Sequence, residues 1–355
     1  MTKSDIYVDC RMIDHSGIGT YLKNVLPFLI RIFPQRLILL GNPLRLAALY
    51  GDIVRTLPFT AHIYSFSANI FFLKHIPSGS TLWVPHFNAP LLLRSKVRLV
   101  TTIHDCFHLD FPDSFPFYER IYAKLLYGNA VRKSFRLLTV SKFSQSRLEH
   151  FFGSKASSKI ITIPNGVNQK LYREKSTPPS GLKPGFILLV GAIKPHKNIS
   201  FAIQIFLKLR RNNSKLELCI VGNRDGLIHA DNSINSQLYR EGIKFLGKLE
   251  STQLVWCYQN CALFLLPSLY EGFGLPILEA MAAGAKIATS NAASIPEVGG
   301  DLVTYFDPND LENAVEKVQK ALSRPATATG HFSTQSWLNR FSWETTANRI
   351  AEALE

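Results

Sequence analysis

The stretch Glu271 to Glu279, read as Glu-Gly-Phe-Gly-Leu-Pro-Ile-Leu-Glu, sets two carboxylates at the ends of a glycine-bearing turn. The apolar run Ala262 to Leu266 before it predicts a buried parallel strand. Pro276 suits a first helical position, and Leu278, Met281 and Ala282 continue an apolar face up to Gly284. The N–H groups of Gly274 and Leu275 then point outward where glycine lets a ligand approach the backbone, which is an anion site. The alternative is that the two acids only cap the turn. A second loop, Gly191-Ala192-Ile193-Lys194-Pro195-His196-Lys197-Asn198, follows a hydrophobic strand and suits a diphosphate, Lys194 and Lys197 acting as point charges. Two solvated lysines are its bland reading.

Two further places carry groups of possible chemical use. Ser16-Gly17-Ile18-Gly19-Thr20-Tyr21 lies between a short strand (Ile6 to Val8) and a helix through Leu22, Val25, Leu26 and Leu29. Strand, glycine turn and helix form a phosphate-binding arrangement, although Leu22 stands where a dinucleotide fingerprint has its third glycine. A tight turn without a ligand remains open. Val84-Pro85-His86-Phe87-Asn88 and Ile103-His104-Asp105 end two strands, and ligands of open α/β sheets bind beyond such ends. His86, His104 and Asp105 would face one crevice there. Their structural alternatives are packed or surface imidazoles and, for Asp105, a turn cap. Ser141 has the same alternative as a helix cap.

The elements that must hold these groups form two series. Strand-like segments at Leu37 to Leu40, Thr81 to Val84, Val97 to Ile103 and Leu137 to Val140 alternate with helical patterns, as in a doubly wound domain. Asn165-Gly166 signals a turn, and the three prolines between Lys175 and Pro184 signal a connection. Phe186 to Val190, Leu216 to Val221, Ile243 to Leu246, Ala262 to Leu266 and Lys286 to Thr289 repeat the pattern. The expected division is 1–170, a linker at 171–185, a second domain over 186–335 and a C-terminal helix at 336–355, whose apolar face carries Trp337, Phe341, Trp343 and Ile350. Two such domains suit a chain of 355 residues that is 46% hydrophobic.

Composition narrows the partners. Residues 1–170 hold 21 Lys and Arg against 9 Asp and Glu, the remainder 19 against 17, so almost all of the net charge of +14 sits in the first half. That asymmetry favours an anionic partner over scattered solvated lysines: nucleic acid, an anionic membrane surface or an acidic substrate. Five cysteines without a Cys-x-x-Cys pair encourage neither a disulfide framework nor a zinc site. Cys257 and Cys261 are expected as buried apolar residues. The polar N-terminus and the absence of a membrane-length apolar run predict a cytoplasmic protein.

Together these motifs resemble the retaining glycosyltransferases of family 4, which have the GT-B fold of two Rossmann-like domains facing across a cleft. The resemblance covers essentially the whole chain. It rests on Glu271-x7-Glu279, on Gly191 to Asn198, on Ser-Gly-Ile-Gly-Thr-Tyr and on Ile163-Pro164-Asn165-Gly166-Val167, with Ile295 to Asp301 and Phe341-Ser342-Trp343-Glu344 in support. Within the family it is nearest to bacterial mannosyltransferases that build O-antigen and other surface polysaccharides. It implies that the C-terminal helix packs back toward the first domain. It also implies that Glu271 holds donor-sugar hydroxyls, that Glu279 holds the ribose, and that Gly272, Phe273, Gly274 and Leu275 offer N–H groups to sugar and phosphate. Lys197, assisted by Lys194, would meet the diphosphate, and Gly17 and Gly19 would approach phosphate or acceptor. His104 would stand near the donor sugar, with His86 and Asp105 on the acceptor side. Many members have Arg where this chain has His196, whose role stays open.

The division is physically sensible, because carboxylates accept hydrogen bonds from hydroxyls but repel a diphosphate. The implied reaction moves a hexosyl unit, mannose from GDP-mannose as the first expectation, to a glycan or lipid-linked glycan with retention of configuration. No cofactor or metal is expected: Lys197 and the helix N-terminus stabilise the leaving diphosphate, and the chain has no Asp-x-Asp. Nucleic acid is not an expected partner. A peripheral position on the anionic inner face of the plasma membrane is. The alternatives are another GT-B enzyme, such as a nucleotide-sugar epimerase or phosphorylase, and a non-enzymatic anion-binding module.

Overall fold

The computed structural model describes residues 4–222, 241–324 and 331–355. They form two compact units, Met1–Gly166 with Ser342–Glu355, and Val167–Phe341.

Among the described residues the first unit holds a seven-stranded sheet: β1 (Ile6–Asp9), β2 (Leu37–Gly41), β3 (Arg55–Pro58), β4 (Thr81–Val84), β5 (Arg98–Ile103), β6 (Arg136–Thr139) and β7 (Ile160–Thr162). The order is β3-β2-β1-β4-β5-β6-β7, with every pair parallel. The inner strands are apolar on both faces because parallel crossovers cover both with helices. Trp83 is fully buried among them, its indole N–H donating to Thr102 at 2.9 Å. The crossovers carry α1 (Ser16–Ile32), α2 (Pro43–Tyr50), α3 (Phe66–His75), α4 (Phe107–Asp110), α5 (Phe117–Lys133), α6 (Lys142–Phe152) and α7 (Ser154–Ser157). Ser141 caps α6 by accepting the Ser144 N–H at 3.0 Å.

The second unit holds a six-stranded parallel sheet among its described residues: β8 (Ile187–Val190), β9 (Leu218–Val221), β10 (Ile243–Gly247), β11 (Leu263–Leu266), β12 (Ile287–Ser290) and β13 (Thr304–Phe306). The order is β10-β9-β8-β11-β12-β13. Its helices are α8 (Ile199–Arg210), α9 (Ser251–Asn260), α10 (Leu275–Ala282), α11 (Ile295–Gly299), α12 (Leu311–Ser323) and α13 (His331–Leu338). Two Rossmann-like parallel-sheet units are what the strand pattern predicts.

The C-terminal stretch corrects one expectation. In place of a single helix over 336–355 there are two, α13 and α14 (Trp343–Leu354). The chain breaks where the Phe341 carbonyl accepts the Val167 N–H at 3.1 Å and Ser342 caps α14. Trp337 therefore stays in the second unit, its indole donating to the Val298 carbonyl at 2.8 Å, while α14 packs on α1 of the first. Gly166 is tied to the same turn. A Cβ there would lie 2.1 Å from the Trp343 nitrogen, so only glycine fits. Four of the cysteines are buried, whereas Cys261 is partly exposed. Among the described residues no helix is long and apolar enough to cross a membrane.

Candidate active site

Each sheet has a point where the strand order reverses, and crevices form beyond the carboxyl ends of the two strands that flank it. In the second unit these strands are β8 and β11. The loop after β8 carries Lys197, and the loop after β11 carries Glu271. The topology thus brings together residues 74 positions apart: the Lys197 amine donates to both oxygens of Glu271, at 2.7 and 2.8 Å. Ser268 donates to the same carboxylate at 2.7 Å. Glu271 is 8% exposed, and Gly191, Lys197, Leu266 and Ser268 line a narrow hollow at these strand ends.

The backbone around the pair is tightly specified. Gly191 and Gly222 end β8 and β9 with positive φ, and a Cβ on Gly222 would meet the Gly191 carbonyl oxygen at 1.9 Å. A 3-10 turn at Pro195–Lys197 follows, and Asn198 in the left-handed region starts α8. This turn points Lys197 inward and leaves Lys194 exposed. The loop bearing Glu271 is held by Ser294, whose hydroxyl lies 2.8 Å from the Glu271 carbonyl and 2.9 Å from that of Phe273. Ala293, at φ 53°, is one of three non-glycine residues with positive φ among the described ones. Gly274, at φ 103°, caps α10; Pro276 has no N–H and Ile277 donates to the Gly274 carbonyl at 3.0 Å, so Leu275 supplies the first N–H of the helix.

Glu279 sits on α10 away from the lysine. Its carboxylate accepts the Tyr258 hydroxyl at 2.8 Å and a second bond from Tyr172. Burial raises its pKa, and the two phenols pull it partly back.

In the first unit the order reverses between β1 and β4. Asp9 ends β1 and His86 follows β4, and they meet at 3.3 Å. Arg11 completes the cluster, its guanidinium reaching both Asp9 oxygens at 2.9 and 2.6 Å. Burial works to raise the Asp9 pKa, but Arg11 and His86 hold it far below the usual carboxylate range. His86 is 3% exposed, and its other ring nitrogen accepts the Asn88 N–H at 3.2 Å. Both nitrogens are therefore engaged within the chain.

His104 directly follows β5 and is half-buried. Its Nε2 lies 3.1 Å from the Pro85 carbonyl, which can only accept, so Nε2 carries the proton and the neutral ring leaves Nδ1 as an acceptor. Burial pushes its pKa down to about 4. Asp105 accepts the Phe107 N–H at 3.0 Å, the turn-cap arrangement. The two glycines of the first turn differ. A Cβ on Gly19 would meet the Ile13 carbonyl oxygen at 2.4 Å, whereas one on Gly17 meets nothing within 4 Å. Close packing of the chain on itself accounts for Gly19, and Gly17 alone presents open backbone.

Sequence reasoning missed Asp9, Arg11, Ser268, Ser294, Tyr172 and Tyr258. Of these, Ser294 had a local signal, a serine directly before Ile-Pro at a helix start. Among the described residues no three His, Cys, Asp or Glu side chains are grouped so as to hold a metal.

Over nearly their whole length the two units match solved glycosyltransferases. Anabaena HepE in complex with UDP and glucose superposes with a TM-score of 0.74 at 18% identity, over 99% of both chains. A glycosyltransferase from Rickettsia africae gives 0.73 at 14%, over 100% of this chain and 98% of that one. This fold, with its polar groups at the strand-order reversals, is that of a GT-B glycosyltransferase. A sequence model described as Glycosyltransferase Family 4 matches residues 40–171, and one described as Glycosyl transferases group 1 matches 172–336. An O-antigen chain mannosyltransferase B of Escherichia coli is 30% identical over 286 residues, 76% of this chain and 72% of the relative. An O-antigen chain mannosyltransferase of Salmonella typhimurium is 26% identical over 76% of this chain and 74% of its own. The chain belongs to glycosyltransferase family 4, and it is a glycosyltransferase.

Proposed function

We propose that this enzyme transfers a mannosyl unit from GDP-mannose to a lipid-linked glycan during assembly of O-antigen or a related surface polysaccharide. It does so on the cytoplasmic side of an anionic membrane. The observation that carries this reading is the Lys197–Glu271 pair at the strand-order reversal, with Ser268 behind it. The names of the two enterobacterial relatives support mannose and the O-antigen setting.

In this reading Lys197 and the N–H groups from Gly272 to Leu275 receive the diphosphate, with Lys194 adding charge from outside. Glu271 turns to the hydroxyls of the transferred sugar, and Glu279 holds the ribose diol. The open backbone at Gly17 admits a phosphate or the acceptor, and His104 offers Nδ1 to a hydroxyl of the donor sugar. His86 and Asp105 order the strand ends that receive the acceptor. The bond from the anomeric carbon to the diphosphate oxygen breaks while the acceptor oxygen bonds to that carbon from the same face. The acceptor proton passes to the departing phosphate oxygen, which gives retention without a protein general base. Lysine and backbone N–H groups stabilise the leaving diphosphate, so no metal is required.

The test is a screen of nucleotide sugars for thermal stabilisation and slow hydrolysis, repeated with Glu271→Ala. GDP-mannose should stabilise the parent and be hydrolysed by it, and the variant should lose both responses. A variant that responds like the parent would refute the assignment. Epimerised sugar after incubation with donor alone would favour an epimerase.

A further inference from the structure

Apolar surface is unevenly distributed. All sixteen exposed large apolar side chains among the described residues belong to the first unit, and twelve of them lie between Tyr64 and Leu125. Helix α5 accounts for five. Its inner face buries Leu126, Tyr127, Ala130 and Val131, yet Phe117, Ile121 and Leu125 recur every fourth residue on the outer face, with Phe117 74% and Leu125 64% exposed. Tyr118 and Tyr122 flank this stripe. Helix α3 repeats the pattern with Phe66, Ile70 and Leu73 outward and Ala68 and Phe72 inward. A helix that is apolar all round is ordinarily covered on both sides.

These outer faces form one surface. The inner faces of α3 and α5 join a single core cluster with Leu82, Val84 and Leu99 of the sheet, so the two helices share one side of it. The rings of Tyr64 and Tyr122 meet edge-on, with centroids 6.2 Å apart. Exposed Leu91 and Leu92 lie on a segment held between the helices: Asn69 of α3 accepts the Leu91 N–H at 2.6 Å, and Asn129 of α5 donates to the Ala89 carbonyl at 2.9 Å.

Charge selects the occupant. The chain has no Asp or Glu from Ile53 to His104, whereas Lys74 and Lys96 stand exposed in that stretch and Lys124 and Arg132 border the stripe on α5. The acids that lead into α5 or lie on it are Asp105, Asp110, which pairs with Arg147, Asp113, which pairs with Arg120 at 3.0 Å, and Glu119. A second copy docked through the same face would set cations against cations. Anionic headgroups would meet them favourably, while aromatic and aliphatic side chains enter the interface below and lysine stems lie along it.

We propose that the outer faces of α3 and α5, with the segment at Leu91 and Leu92, form the seat of this enzyme on an anionic lipid bilayer. The inference rests on the membrane location proposed above and adds the surface that produces it. It also places the bilayer beside the end of β5, because α4 and α5 follow His104 directly in the chain. A lipid-linked acceptor would then stay anchored while its glycan reaches that strand end.

The test is flotation of the full chain with phosphatidylglycerol-containing vesicles, compared with pure phosphatidylcholine, at low and moderate salt. The parent should float with the anionic vesicles. Ile121→Asp/Leu125→Asp should reduce partitioning about tenfold or more. Lys74→Gln/Lys124→Gln should reduce it about fivefold per cation removed. All variants should keep the parent's melting temperature and slow donor hydrolysis in solution, which separates this test from that of the donor site. Failure of the parent to float would overturn both the surface and the membrane location. Undiminished binding by the aspartate variant would overturn the surface alone. Lipid-free self-association that the aspartates abolish would assign the face to a second copy instead.

Discussion

Lys197 and Glu271 neutralise one another in a bidentate ion pair, the amine 2.7 Å from one carboxylate oxygen and 2.8 Å from the other. In the proposed reading one group is meant for phosphate and the other for sugar hydroxyls. In that reading the pair holds both side chains at the strand ends, and a donor that supplies phosphate to one and hydroxyls to the other takes over their mutual contacts. Pre-positioning of this kind reduces the ordering cost of binding.

Removing one partner should therefore affect folding as well as activity. Lys197→Ala leaves the buried Glu271 carboxylate with Ser268 alone of its two side-chain donors. We expect a stability loss of about 1.5–3 kcal/mol, the value of a charge-assisted hydrogen bond. Donor hydrolysis should fall about 100-fold or more. Lys197→Ala/Glu271→Gln should recover part of the stability and none of the activity. Urea melts and hydrolysis assays check this, and a single variant as stable as the parent would count against the pair.

The second carboxylate should give a pH signature. Burial raises the Glu279 pKa above its ordinary value of 4.5 while the Tyr258 and Tyr172 hydroxyls oppose the shift. With its folded pKa above the unfolded one, Glu279 favours folding most at low pH, and this contribution is lost as pH rises through the folded pKa. In the proposed reading the ionised form binds the ribose, so GDP affinity should weaken as pH falls toward that pKa. In Tyr258→Phe one stabilising donor is gone and the weakening should begin at higher pH. Calorimetric titration with GDP across the acidic range measures this, and coincident profiles would refute it.

His104 titrates in the opposite sense. Burial lowers its pKa from 6.5 to about 4, with Asp105 and the Pro85 carbonyl opposing. Its contribution to stability is full above 6.5 and is lost as pH falls from there toward 4, because the unfolded chain takes up the proton first. Its imidazole resonance should titrate near 4, and kcat/KM should show no step near 6.5 from this residue. A midpoint near 6.5 in the folded protein would contradict the neutral assignment.

The two glycines at the start of α1 should separate packing from ligand approach. Gly19→Ala forces a Cβ to 2.4 Å from the Ile13 carbonyl oxygen and should lower the melting temperature markedly. Gly17→Ala enters open space on a helix, where alanine is favoured by up to about 1 kcal/mol. It should fold at least as well as the parent and lose turnover if substrate contacts that backbone. Unchanged kinetics in Gly17→Ala would remove Gly17 from the site.

Much of the fold is written in local pattern. Apolar runs such as Leu263–Leu266 and Leu218–Val221 mark inner strands because parallel strands are buried on both faces. Three of the four edge strands, Arg55–Pro58, Ile160–Thr162 and Thr304–Phe306, are only three or four residues long and largely or partly exposed, too short for a period to mark them. The glycine and proline of Gly274 and Pro276 announced the start of α10 by their backbone preferences, which are properties of single residues. The break before Ser342 was invisible, because it depends on Val167 meeting Phe341. The same distinction holds at the site. Residue type and spacing singled out Lys197 and Glu271, in loops that follow strands, and Glu279, on the helix after the second loop, as candidates for chemistry. That Lys197 is held by Glu271, Glu279 by two tyrosines, and Asp9 by His86 as well as by its near neighbour Arg11 was decided only by the tertiary structure. Which strand ends become neighbours is set by long-range pairing, and the turn chemistry at either end does not encode it.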